Sequence, residues 1–155
     1  MFHVKRIRRL SSILSCGLMA AGCGNPTATY PTAESKAPLF SGMGSHKRAV
    51  STDNELAQKY FNQGLIWAFA FNHDEAIKSF NEAARLDPDC AMAYWGIALC
   101  NGPHINNPVM TPAQSKAAWE AIEKAMARIK GATELEASRI NAWSKRYAAE
   151  RPKDR

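Results

Sequence analysis

His46, His73, His104 and Asp74 are the residues whose types could do metal chemistry, since imidazole and carboxylate both ligate zinc-like ions. The three histidines fall in or beside segments that read as loops, and Asp74 adjoins one of them. None stands at a paired-ligand spacing, so no metal is expected, and Asn72-His73 reads first as a turn between helices. Cys90 and Cys100 show neither CxxC nor CxxCH spacing, which removes dithiol redox and haem attachment. On one helix they would stand about 15 Å apart, beyond the roughly 7 Å between Cα atoms that a disulfide spans, so they read as two separate buried thiols. The chain has no phosphate-cradling glycine loop, no GxSxG elbow and no HExxH pair. No catalysis and no cofactor are expected.

Cys23 has a different chemistry. Lys5, Arg6, Arg8 and Arg9 precede an apolar run at residues 10–21, which is too short to cross a bilayer core of roughly 30 Å as a helix. The run closes on Ala20-Ala21-Gly22-Cys23, small residues directly before a cysteine. This resembles the bacterial lipobox, in which the cysteine is acylated and the preceding peptide is removed; the lipobox prefers Leu where Ala20 stands. A plain secretory signal cut nearby, or an uncleaved anchor, is the alternative. Residues 1–22 are therefore expected to be a signal peptide, with lipid attached at Cys23 and the chain facing the periplasm or exterior of a bacterial envelope. The whole chain carries a formal charge of +6, but those four cations lie before Cys23, leaving 16 basic and 14 acidic residues and a charge of +2. Scattered along helices, so small an excess does not suit nucleic acid.

The elements that must position these groups are helical. Residues 24–52 are rich in Pro, Thr, Ser, Ala and Gly and read as a flexible, disordered tether, whose last stretch, 42–50, has the means to pack on the first helix. Beyond it, Thr52 with Glu55, Asn72 with Glu75, Thr111 with Gln114 and Thr133 with Glu136 each fit a capping box. Leu56, Tyr60, Gly64, Trp67 and Phe71 recur at helical spacing, as do Ala76, Ile77, Phe80, Ala83 and Ala84. Asp87-Pro88 ends the second run, because proline disfavours helical geometry in the residue before it. A third run covers 91–100, a loop 101–110, a fourth helix 111–130 and a fifth 133–150, which carries Leu135, Ile140, Trp143 and Tyr147. No segment alternates like a strand. The expected fold is all-α, with about five helices in a domain spanning 53–150.

Within residues 57–90, Tyr60, Gly64, Trp67, Ala76, Phe80, Ala83 and Pro88 fall on one repeat spacing. In this pattern the chain resembles tetratricopeptide (TPR) proteins, with Gln63 departing where the family usually has Leu. The small Gly64 and Ala76 suit a close helix approach, Tyr60, Trp67 and Phe80 suit filling between layers, and Pro88 suits the end of a unit. Tyr94, Ile97 and Ala98 begin a second unit in register, which a loop expands before Ala118, Ile122 and Ala125 resume it; residues 133–150 would open a third. Phe71-Asn72-His73, Asp87-Pro88-Asp89-Cys90 and Tyr94-Trp95-Gly96 are also similar to the opening of longer bacterial TPR proteins of unassigned role.

The resemblance implies antiparallel helix pairs in a right-handed α-solenoid and a concave groove that takes an extended peptide. That surface would include Phe61, Asn62, Leu65 and Phe69, then Trp95 and Leu99. Phe61 and Leu65 stand where the family's clamp for acidic C-termini needs polar and basic residues, so an apolar groove is implied; alternatively several of these side chains simply pack on the tether or a neighbouring repeat. The expected function is a lipid-anchored envelope module binding a protein or peptide, with self-association expected through the fifth helix if its apolar face is left uncovered. The alternative is the N-terminal piece of a larger envelope protein with a ligand or metal site near the 101–110 loop.

Overall fold

The computed structural model of the chain describes residues 28–29 and 34–149, so Cys23 and the signal peptide expected over 1–22 lie outside them. Five α-helices make up almost all of the regular structure: α1 (Glu55–Phe69), α2 (His73–Leu86), α3 (Ala91–Asn101), α4 (Pro112–Ala127) and α5 (Glu134–Ser144), with a 3₁₀ turn at Ile129–Gly131. The fold is all-α. It carries one small addition that the sequence pattern does not announce, a two-residue antiparallel ladder of β1 (Ala28–Thr29) on β2 (Leu39–Phe40).

Helix starts follow the capping chemistry with one correction. Thr111 with Gln114 and Thr133 with Glu136 form full reciprocal capping boxes, and Pro112 occupies the first turn of α4. Asn72 caps α2. Thr52 does not cap α1; Asn54 does, its side-chain oxygen accepting the N–H groups of Leu56 and Ala57 at 3.0 Å each. The Thr52 hydroxyl donates instead to the Asp87 carboxylate. Asp87 itself is extended, at φ −138°, as the residue before Pro88 must be.

Consecutive helices pack on one another, and α1 with α3 and α3 with α5 also touch. The centre of that packing is Phe80. A Cβ placed on Gly64 of α1 would come within 2.7 Å of the Phe80 ring, and one placed on Gly96 of α3 within 2.6 Å. The ring is therefore wedged against bare helix backbone at Gly64 and Gly96, and Phe61 of α1 closes it at 5.5 Å between centroids. Ala76 and Ala83 lie fully buried beside it. Trp67 serves a different contact from the one its repeat position suggests. Its ring meets Phe40, 5.6 Å away and edge-on.

Phe40 belongs to a segment expected to be a disordered tether, and residues 34–52 correct that expectation. They form a strap across the helices, held by backbone groups that side chains on several helices satisfy. Tyr60 donates to the Ala37 carbonyl at 2.7 Å. The Gln63 amide accepts from Phe40 N–H at 2.8 Å and donates to the Pro38 carbonyl at 2.9 Å and to Ser79 Oγ at 3.1 Å. Asn62 accepts from Arg48 N–H and Gln58 from Val50 N–H, each at 3.0 Å. Glu136 of α5 accepts from Ser51 N–H at 2.9 Å. A Ser-rich composition hides this because the strap binds largely through its backbone and needs few apolar side chains of its own.

The fifth helix also departs from expectation. Ile140 and Tyr147 are buried, Tyr147 donating to the Ala98 carbonyl at 3.0 Å, and Trp143 packs tilted by 60° against Trp95 at 5.5 Å. Of the four side chains expected to lie open, Leu135 stays exposed. The uncovered face invoked for self-association is thus turned against α3. Among the described residues no helix is long and apolar enough to cross a membrane.

Two buried carboxylates join strap to helices. Burial alone would raise the pKa of Glu136, but the Ser51 and Thr133 donors outweigh it and hold the carboxyl below its ordinary value of 4.5. Glu82 is treated the same way: burial opposes, while Arg85, Lys36 N–H and Ser35 win. A depressed folded pKa means the unfolded chain binds more protons, so this stabilisation is complete above about pH 4.5 and is lost as pH falls through the folded values. Melting temperature should therefore fall steeply below about pH 4.5, and Glu136→Gln should flatten that limb. An unchanged acid limb in the variant would show that Glu136 does not anchor Ser51.

Candidate functional site

The helix α1 ends in a way that places an aromatic ring under backbone strain. Asn72 N–H bonds to the Trp67 carbonyl at 2.9 Å and Phe71 N–H to the Ala68 carbonyl at 3.1 Å. This pair of bonds is a Schellman termination, which needs a left-handed residue where Phe71 stands. Phe71 has φ 61°, a conformation that suits glycine and costs an ordinary L-residue roughly 1–2 kcal/mol. With Asn72 already capping α2, one residue must make the whole reversal.

Opposite this turn, the loop after α3 folds back on itself. His104 and Asn107 exchange both backbone hydrogen bonds, at 3.1 and 3.0 Å, with Ile105 and Asn106 at the tip. The loop lays His104 against the start of α2. Its ring centroid lies 4.3 Å from that of His73, tilted by 42°, and Phe71 stands 6.2 Å from each. Burial lowers the pKa of His73 most, His104 lowers it further, and Asp74 opposes both. His104 Nδ1 is buried without a hydrogen-bond partner among the described residues. A cavity of about 310 Å³ opens here, lined by Phe71, His73, Asp74, Cys100, Asn101 and His104 among others. No three metal-ligating side chains converge among the described residues.

The α1 end and the loop after α3 also expose apolar side chains. Ile105 is 86% exposed, Phe69 67%, Val109 64% and Phe71 54%. Large apolar side chains exposed together on one edge mark an interaction surface more often than scattered single ones do. His46 does not join the histidine pair; it stands edge-on to Phe69 at 5.9 Å.

The residues proposed to line a concave groove are mostly spoken for. Phe61 and Leu65 are buried, Phe61 against Phe80, and Trp95 is buried against Trp143. Asn62 is occupied by the strap, accepting from Arg48 N–H and from the Gln58 amide. Leu99 is partly buried on the core and Phe69 is open. As an open apolar groove Phe61, Leu65 and Trp95 are therefore corrected, because adjacent elements bury them, and Asn62 is engaged by the strap, while Phe69 stays open. Cys90 and Cys100 are free, buried thiols, whose pKa burial pushes up to about 11 and about 12. Both are thus poor nucleophiles at neutral pH.

Sequence reasoning places His73 and His104 in loops without foreseeing their contact, and passes over the strain at Phe71. One signal for the latter was present: the apolar run of α1 reaches Phe71, and the Asn72 cap follows at once, leaving no glycine for the reversal. Phe71→Gly should raise stability by up to about 1 kcal/mol by relieving the backbone, whereas Phe71→Ala, which keeps the Cβ, should bring no gain. Denaturant titration of the two variants decides the matter; a glycine variant weaker than the parent would mean that the ring contacts outweigh the strain. No family model, no curated protein and no solved structure matches this chain.

Proposed function

We propose that this chain is a lipid-anchored, non-catalytic binding module of the bacterial cell envelope. In this reading it is built on TPR-like helix pairs and takes a protein partner on the edge formed by the α1–α2 turn and the 102–110 loop. The observation that supports the reading is Phe71, a half-exposed aromatic ring held at φ 61° where glycine would relax the chain. Strain retained at an exposed aromatic points to a use for the ring itself. Phe69, Ile105 and Val109 are exposed apolar side chains of the same turn and loop, and a few well-buried anchor residues carry most of the binding energy once a partner covers such a surface. The partner that fits is a protein presenting an apolar face with hydrogen-bond acceptors or donors at its rim, to meet Asn72, Asp74 and the 105–107 tip. Cys23 would hold the module at the membrane, as the residues before it suggest.

Two measurements test the reading. A clickable fatty acid should label the parent chain in cells and leave Cys23→Ala unlabelled; equal labelling removes the anchor. A photo-crosslinking amino acid at Ile105 should yield a discrete adduct that one at exposed Leu135 does not, and Phe71→Gly should weaken it. Equal adducts from both positions, or none from Ile105, would remove the proposed surface.

A further inference from the structure

We propose that His73 and His104 form a two-imidazole site for a divalent metal ion at the copper–zinc end of the first transition row. The site comes from two separate elements: His73 opens α2, and His104 is carried by the loop after α3. Both are fixed from behind. The Asn72 cap sets the first turn of α2, and the His104–Asn107 backbone pair sets the loop. Phe71 stands against both rings and gives them an apolar wall.

The orphaned nitrogen is the second observation. His104 Nδ1 lies buried with no partner among the described residues, a state that is costly unless something fills it. A metal ion satisfies an imidazole nitrogen in such a place, and imidazole suits copper, zinc and nickel better than calcium or magnesium. The rings stand 4.3 Å apart between centroids. Bonds of 2.0–2.1 Å from two imidazole nitrogens to one ion put the centroids about 5 Å apart, so the rings need to part by only about 1 Å. The cavity of about 310 Å³ beside them leaves room for that rotation and for the ion's remaining ligands. Those positions fall to water, for which the Asp74 carboxylate and the Asn101 amide line the same cavity. The Asn101 Nδ2 group is engaged with the Ile97 carbonyl at 2.9 Å, so its oxygen is the amide's remaining group for a bound water. The proposal needs no protein partner and stands or falls apart from the docking edge.

The test is calorimetry of the full chain, purified in detergent without a polyhistidine tag, against zinc chloride and copper chloride with a competing chelator. One equivalent should bind. His73→Asn and His104→Asn should each weaken binding by about tenfold or more, while His46→Asn should leave it unchanged. Nitrogen couplings in the copper electron paramagnetic resonance spectrum give a readout that does not depend on either variant folding. Two imidazole nitrogens in the parent chain support the site; one or none overturns it. Absence of binding, or parent-like affinity in both variants, also overturns it.

Discussion

Phe80→Ala should lower the stability of this domain by about 3–5 kcal/mol, the largest effect expected of any single truncation here. The ring is fully buried, and its neighbours on two sides are glycines that have no side chains to swing into the space. The cost of a large-to-small change depends on how far the surroundings collapse, and helix backbones at Gly64 and Gly96 collapse poorly. The complementary change is Gly96→Ala, whose new Cβ would sit 2.6 Å from the Phe80 ring and should cost about 1–3 kcal/mol by overpacking. Adding Phe80→Leu to Gly96→Ala should then recover part of that loss, since the smaller side chain yields the volume the methyl takes. Chemical denaturation of the three variants measures all of this. A loss below about 1.5 kcal/mol for Phe80→Ala would mean that α1 and α3 close over the gap, and that the wedge does not set their spacing.

Gln63→Leu is the second large effect, and its direction runs against the repeat pattern. Leucine is the residue the TPR resemblance favours at this position, and in an ordinary hairpin it would add apolar burial. Here the amide holds Phe40 N–H, the Pro38 carbonyl and Ser79 Oγ at once. Leucine leaves these groups without their partner, and each buried polar group so stranded costs about 1–3 kcal/mol. Net destabilisation of about 2–4 kcal/mol is expected after the added apolar burial offsets part of the loss. Hydrogen exchange locates the damage: Phe40 and Arg48 amides should lose protection first, with α3 and α4 little changed. Protection of Phe40 N–H equal to the parent would show that the strap is held by its side chains instead.

Much of the helical frame was legible because capping is local. Thr111 and Thr133 announce α4 and α5 within four residues, and nothing distant competes with them. Thr52 illustrates the limit: its hydroxyl is drawn to Asp87 across the fold, and Asn54, two residues on, takes the cap. Helix ends were overrun for a related reason, since α4 closes into a 3₁₀ turn after Ala127 and α5 stops at Ser144, both inside runs that keep helical spacing. Gly64 was legible because it and Phe80 fall on one repeat pattern within residues 57–90, whereas Gly96 lies outside that stretch and meets the same ring only through the packing of α3 on α2. Side-chain facing was the least legible property. The TPR resemblance implies that Phe61, Leu65 and Trp95 line one surface, but only the neighbouring elements decide that they are covered. The histidine pair lay beyond any local rule, since the loop that carries His104 to His73 has no pattern of its own.

The strap has a mechanical consequence. Its attachments run in chain order: Lys36 to Glu82, Ala37 to Tyr60, Pro38 and Phe40 to Gln63, Arg48 to Asn62, Val50 to Gln58, Ser51 to Glu136 and Thr52 to Asp87. Once the β1–β2 ladder has parted, a pull arriving at residue 34 meets these one after another along the chain. Each step gives up a net of about 0.5–1.5 kcal/mol, and some of the chain goes slack before the next is loaded. Tension reaching the strap from the N-terminal side would therefore be spent in small reversible increments. The first turn of α1, capped by Asn54 behind the last fastening, would feel force only after the whole strap had lifted.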